Sequence, residues 1–287
     1  MIINRFFGGI SNKTLPGFTY TGTYSVVDDG DAGWRIKFLT SGTLTLSSPR
    51  IIDVFLVGGG ASGNAGSNLY VEQLSCGGGG GGAGYTKTYK SVTTQANKSY
   101  SIVIGAGGAS VSAKDNGSPT KGKSGGSTKA FGYTAAGGTA YWPASNYLAN
   151  GGGSGGSGGA NGGQEWADEY DKPTAAGYNG SNAVGGSAAH GAGQGETTRE
   201  FGEASGKLYA GGGGGGGVNY NGSTYSGTAG GSGGGGRGAS HNTTAGDGTA
   251  NTGGGGGGGF VSWQPAQRRR ASGDGGSGIV VIRNHRS

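Results

Sequence analysis

One cysteine, Cys76, stands alone in 287 residues, so no disulfide can form within the chain and no cysteine-rich metal site is available. Long apolar runs are also missing. No stretch of about 18 apolar residues offers a membrane span, and membrane insertion is not expected. The opening residues, MIINRFFGGI, have neither the charged start nor the apolar stretch of a signal peptide, so export by the usual route is not expected. Amphipathic helices are absent too, because glycine interrupts every window long enough to hold one. Hydrophobic residues make up only 31% of the chain. That is too little to fill one core of this size, so any oily core must be local.

What the chain has instead is glycine, 76 residues of it. By composition, a Gly- and Ser-rich chain without a strict period defaults to a disordered linker. Ordering a residue costs roughly 1–2 kcal/mol, whereas one net hydrogen bond returns only about 0.5–1.5 kcal/mol. A glycine tract therefore stays ordered only where nearly every backbone group finds a partner. Three tracts, 77–82, 211–217 and 253–259, are close in length. A polyproline-like conformation has three residues per turn, rises about 3.1 Å per residue and makes no internal hydrogen bonds. Its N–H and C=O groups point outward. Without side chains, several such strands can lie close together and exchange backbone hydrogen bonds on all sides, helped by weak Cα–H···O contacts. The tracts are thus expected to form a hydrogen-bonded bundle that stands in for an oily core. A Gly→Leu change in mid-tract would disrupt it.

Around the glycine lie β-signals. FTYTGTYSV (18–26), WRIKFL (34–39) and GTLTLSS (42–48) alternate side-chain character with period two, separated by turn formers such as DDGDAG (28–33). IIDVFLV (51–57) is nearly all apolar, as in a strand buried on both faces. YTKTYKSV (85–92) and SYSIVIGAGG (99–108) follow, and GIVVIRN (278–284) restores an apolar strand at the far end. The fold class expected is all-β: an antiparallel β-sandwich base with a glycine-rich polyglycine-II bundle, long loops and essentially no α-helix. The expected organisation is an attachment segment over 1–17, a sandwich base over 18–109, the bundle with its loops over 110–277, and a returning strand over 278–287.

IIDVFLVGGGASG, GGGGGGAGYTKTY, SYSIVIGAGGAS, GKSGGSTKAFGYTAAGG and GGSGIVVIR occur in this order across roughly 18–283. The series resembles the glycine-rich domain of phage and prophage tail-fibre or tail-tip proteins. The resemblance implies a β-sandwich base carrying a polyglycine-II bundle, with variable distal loops that bind the host receptor. The glycine-rich domain of anaplastic-lymphoma-kinase-type receptors is similar in architecture, but this chain lacks the cysteine framework and kinase of those receptors.

Several short motifs are weaker than they look. GSPTKGKS (117–124) matches the phosphate-binding G-x-x-x-x-G-K-S pattern, yet no buried strand precedes it and no helix follows it, as phosphate binding requires. GGSGG around Ser154 and Ser157 matches G-x-S-x-G, but a nucleophile elbow needs a strand-to-helix turn with partnering His and Asp. The three histidines, His190, His241 and His285, all sit in polar settings without metal-ligand spacing. DDGDAG lacks calcium-loop spacing and reads as a turn. The +6 net charge is uneven, with EWADEYD (165–171) acidic and Arg268, Arg269 and Arg270 basic. A solvated loop outweighs nucleic-acid binding for so short a basic run.

The aromatic inserts carry more weight. Trp142, Tyr147, Trp166, Tyr170, Tyr178 and Trp263 sit in loop-like segments, where rings can stack on sugar faces or anchor a protein interface. The alternative is that they lie flat over the glycine bundle and shield it from water. These six are the expected receptor-binding residues; no catalytic or metal-ligating residue and no cofactor is expected. The reading reached from sequence is a non-enzymatic virion protein of the phage tail, extracellular after host lysis. It would recognise a bacterial surface glycan or outer-surface protein and assemble with other virion subunits, by analogy as a homotrimer, with no nucleic-acid partner. The alternative is a purely structural virion component: a head fibre, base-plate or tail assembly protein.

Overall fold

The computed structural model describes residues 13–69, 74–112, 120–140, 198–220, 223–262 and 269–286. Among these residues the fold is all-β, with no α-helix and with strand pairing that is antiparallel except for one parallel pair, 218–219 with 261–262. No helix among the described residues is long and apolar enough to cross a membrane.

Two five-stranded sheets form the base. The first orders β1 (Phe18–Tyr20), β4 (Gly42–Leu46), β9 (Ser99–Val103), β10 (Thr128–Ala130) and β11 (Tyr133–Ala135), each antiparallel to its neighbour. The second orders β2 (Tyr24–Asp28), β3 (Trp34–Phe38), β16 (Ile279–Asn284), β5 (Ile51–Val57) and β8 (Thr86–Thr93), again all antiparallel. Successive side chains on a strand point to opposite faces. In β3, Trp34, Ile36 and Phe38 are therefore buried while Arg35 and Lys37 are half-buried on the other side. Those three residues meet Leu44 and Leu46 of β4, Ile52, Val54 and Leu56 of β5, Ile102 of β9 and Val280 and Ile282 of β16 in one core between the sheets.

The apolar run of β5 is buried on both faces because the second sheet is covered on its outer side as well. A strap over 198–210, with a short 3-10 turn at Glu200–Gly202, lays Phe201, Tyr209 and Ala210 against Phe55, Val57 and Val281. Phe55 packs against Tyr209 with ring centroids 5.3 Å apart.

Above the sandwich the chain changes period from two to three. Residues 58–65 continue directly from β5, and their N–H groups donate to three neighbours in rotation. Gly58, Ala61 and Asn64 donate to the carbonyls of Tyr85, Gly82 and Gly79; Gly59, Ser62 and Ala65 to those of Gly126, Lys123 and Thr120; Gly60 and Gly63 to those of Gly276 and Gly273. Their carbonyls receive bonds from three further segments, through Gly138 to Gly59, Gly108 to Gly60 and Gly256 to Ala61. This rotation by threes is the signature of a helix with three residues per turn. It places the strand among six neighbours, as in hexagonal packing.

The tract 253–259 is equally saturated. Each of its N–H groups donates and each of its carbonyls accepts; Gly254 N–H donates to Thr252 Oγ1, and the other partners lie among residues 58–65, 78–84, 211–214, 236–239, 246 and 273–277. Residues 211–217 and 77–84 pair in the same way, Gly213 with Gly81 and Gly216 with Gly78. The three tracts singled out in the sequence thus share one bundle. It also takes in residues 58–65, 83–85 and 104–108 from the stretch that reads as base, because strands of the sandwich run on into it without a break.

Glycine is required by space in this region. A Cβ on Gly258 would lie far inside contact distance of the Gly78 carbonyl oxygen, and one on Gly257 would meet the Arg237 carbonyl. Where side chains do occur they replace backbone groups. Ser62 Oγ accepts from the N–H of Lys123 at 2.8 Å and Asn64 Oδ1 from that of Gly122 at 2.8 Å. At the end away from the sandwich the bundle passes into β6 (Ser67–Leu69), β7 (Leu74–Cys76) and a four-stranded sheet. That sheet orders β13 (Ser223–Tyr225), β12 (Val218–Tyr220), β14 (Phe260–Ser262) and β15 (Arg269–Arg270).

Candidate functional site

Two parts of the molecule could carry function: the far end of the bundle and the outer face of the base. Eight residues of a three-fold helix, 58–65, separate β5 from the far layer, a span of roughly 25 Å. Val218, Phe260, Val261 and Ser262 are fully buried there, so the far layer is seated on the bundle. Trp263 follows Ser262 directly in sequence. The six residues expected to bind a receptor, Trp142, Tyr147, Trp166, Tyr170, Tyr178 and Trp263, all lie outside the described residues. So do His190, the acidic stretch 165–171, Arg268 and the GGSGG serines Ser154 and Ser157.

The phosphate-loop pattern meets a different setting. Residues 120–127 form a bundle strand paired with 59–65 and lead into β10. Among the described residues no helix N-terminus faces Gly122, Lys123 or Ser124, so the geometry that holds a phosphate is not seen there. Among the described residues no group of three or more His, Cys, Asp or Glu could hold a metal ion. His241 packs edge-on against Phe260, and its carbonyl accepts two bonds from the Arg270 guanidinium.

The outer face of the second sheet carries a polar cluster that was not visible in the sequence. Arg283 on β16 is fully buried. Its Nε donates to Asp53 Oδ2 at 3.1 Å and its Nη1 to Glu203 Oε1 at 2.5 Å, and its guanidinium lies 4.1 Å from the Phe201 ring centroid. Arg35 bridges Asp29 at 2.7 Å and Glu200 at 2.6 Å, Arg286 also pairs with Asp29, and Tyr209 donates to Glu200 Oε2 at 2.8 Å. Burial alone would raise the Asp29 carboxyl, but hydrogen bonds and charge from Arg35 and Arg286 outweigh it and hold the group below its usual range. Burial, reinforced by the Glu200 carboxylate, pushes the Tyr209 hydroxyl far up. These ionic pairs tie the strap to the sheet. Removing one partner would leave an uncompensated buried charge.

Asp53 holds the other end of the cluster. Its Oδ1 accepts from His285 Nδ1 at 2.7 Å and from the Ser91 N–H at 3.2 Å. Burial would again raise this carboxyl, but the bonds from His285, Ser91 and Arg283 lower it on balance. Ser91 lies where the pairing of β5 and β8 shifts register between Ile52 and Val54, and its φ is 56°. Such a bulge turns a side chain out of the regular alternation. Here it brings Ser91 Oγ to 3.2 Å from His285 Nε2. In sequence, Asp53, Ser91 and His285 are far apart and share no motif, and only the long-range pairing of β5 with β8 and β16 brings them together.

A shallow groove of about 580 Å³ opens at the edge of the sandwich, lined by Gln95, Lys98, Tyr100 and Phe131 among others. The Lys98 ammonium lies 5.6 Å from the Tyr100 ring centroid, and Phe131 holds a φ of 52° in the β10–β11 turn.

Comparison with known families adds one result. A family model described as a glycine-rich domain matches residues 39–285, a span that takes in most of the sandwich, the whole bundle and the far layer. The chain belongs to this glycine-rich domain family. Comparison with curated proteins gives no match.

Proposed function

We propose that the chain is a phage virion protein of the tail-fibre or tail-tip kind. In this reading it attaches to the host cell through loops held up by the glycine bundle, and it is not an enzyme in that role. The observation that carries the reading is the saturated bundle between two β layers. A bundle whose strands 58–65 and 253–259 have every N–H bonded, fixed to a sandwich at one end, is a stiff stalk, and binding loops work best on a rigid scaffold. The ordered series of motifs shared with tail-fibre glycine-rich domains supports the same reading, as does the density of Trp and Tyr in the segments outside the described residues. The ligand would be a bacterial surface glycan or outer-surface protein, met by ring stacking and by hydrogen bonds from acidic neighbours. The site of action would be the virion tail.

A second reading, a purely structural virion component, is favoured by the base. Tyr24 and Val26 on edge strand β2 are 43% and 44% exposed. Apolar side chains on a strand that has no outer strand partner among the described residues suit contact with another subunit, whether a second copy or a different virion protein.

Cell retention separates the two. Fluorescently labelled protein is incubated with a panel of bacterial strains and washed. The attachment reading expects at least one strain to retain the protein, with retention falling at least tenfold in the Trp142→Ala, Trp166→Ala, Trp263→Ala triple variant. Retention by no strain, or equal retention by the folded triple variant, would overturn it.

A further inference from the structure

We propose that Ser91, His285 and Asp53 form a nucleophilic triad able to take an acyl group from a short ester. A triad is recognised by geometry and roles and not by sequence order. The geometry is a serine hydroxyl 3.2 Å from His285 Nε2, and the other ring nitrogen, Nδ1, 2.7 Å from a carboxylate oxygen. A proton on Nδ1 is held by Asp53, which leaves the Nε2 lone pair facing Ser91 Oγ. Asp53 is fully buried, while the His285 side chain is 28% exposed. Ser91 itself is exposed, so a substrate carbonyl can reach it.

One feature goes beyond what a structural ion pair needs, the approach of Ser91 Oγ to His285 Nε2. Arg283 Nε occupies Asp53 Oδ2, while Oδ1 is met by His285 Nδ1 and the Ser91 N–H. β8 is bulged at this point, and a non-glycine residue is held at φ 56°, a strained conformation for a serine. The bulge is what aims Oγ at the imidazole. The open position of Ser91 suits a small acyl group, such as an acetyl ester on a larger molecule, better than a peptide threaded through a cleft.

The chemistry balances as follows. Ser91 Oγ bonds to the ester carbonyl carbon while its proton passes to Nε2. The tetrahedral adduct collapses, the bond to the alcohol oxygen breaks, and the alcohol leaves with the proton from Nε2. Water, deprotonated by the same nitrogen, then cleaves the acyl-serine to the carboxylic acid and restores Ser91. The Ser91 N–H is committed to Asp53 Oδ1 and does not stabilise the oxyanion. One missing oxyanion donor costs about 100- to 1,000-fold in rate. Slow turnover is therefore expected, and a stoichiometric probe reads the triad better than a steady-state assay.

The probe is a fluorophosphonate, which Oγ attacks at phosphorus as fluoride leaves. The full chain is incubated with it, then analysed by intact mass and peptide mapping. One adduct on Ser91 is expected, absent from heat-denatured protein and slowed at least tenfold in His285→Ala. Ser91→Gly is the decisive variant, because glycine accepts the positive φ and should keep the fold while losing the label. Absence of an adduct on the folded wild-type chain would overturn the proposal. So would labelling of folded Ser91→Gly at the wild-type rate, or an unchanged rate in folded His285→Ala.

Discussion

The sandwich and the glycine bundle solve the same problem by opposite means. In the sandwich, side chains alternate with period two and the core is Trp34, Phe38, Leu56, Ile282 and their neighbours, excluded from water. In the bundle, the repeat is three, side chains are nearly absent and the interior is a lattice of N–H···O bonds around residues 58–65 and 253–259. Burial of apolar surface is non-directional and tolerates repacking. A lattice of backbone bonds is directional, and each bond is worth only about 0.5–1.5 kcal/mol net. The sandwich should therefore yield gradually to mutation, whereas the bundle should hold or fail as a unit.

The sharpest way to break this comparison is Gly258→Leu. Its side chain would start inside the Gly78 carbonyl, and neither backbone can move without breaking bonds to its other neighbours. The expected outcome is no folded soluble protein, read by circular dichroism and gel filtration; Gly258→Ala should also lose more than about 3 kcal/mol. Phe38→Ala removes a fully buried ring from the sandwich and should cost about 3–5 kcal/mol in urea denaturation while the chain still folds. Asp53→Asn weakens the buried pair with Arg283 and should cost up to about 3–5 kcal/mol, with little effect on the bundle's far layer.

A smaller effect is expected from pH. The Asp29 and Asp53 carboxyls are lowered in the folded state, so the unfolded chain binds more protons as acid is added. Their contribution is present above the ordinary carboxylate range near 4 and is lost as pH falls through the lowered values. The urea midpoint should be flat from pH 7 to 5 and drop below it, and a midpoint that rises on acidification would contradict the pairing. The smallest effect is Gly30→Ala. Gly30 has φ 59° but nothing within 4 Å of an added Cβ, so only about 1 kcal/mol of backbone strain is expected. The gap between Gly30→Ala and Gly258→Ala isolates crowding from conformation.

Much of this was legible along the chain. Alternation in WRIKF and GTLTL marks strands β3 and β4, and unbroken apolar IIDVFLV marks a strand covered twice. The glycine tracts of similar length point to a bundle because only mutual pairing can order them. Less legible was the central bundle strand, 58–65, which carries Ala61, Ser62, Asn64 and Ala65 and so does not stand out as a tract. Ser62 and Asn64 fit because their side-chain oxygens take the place of backbone carbonyls. The Ser91–His285–Asp53 cluster was not legible at all. His285 sits in a polar tail, Asp53 interrupts an apolar strand, and the bulge that turns Ser91 depends on pairing with residues far away in sequence. The strap with Glu200, Phe201 and Tyr209 reads as a loop for the same reason: its partners Arg35, Phe55 and Arg283 lie on distant strands.

Amide hydrogen exchange across residues 253–259 tests the central claim most directly. Their N–H groups should exchange as slowly as those of Val281 in the middle of the second sheet, since both would open only when the whole domain does. Exchange of these glycines within seconds, while Val281 stays protected, would show that the tracts are not held by one another and would contradict the account.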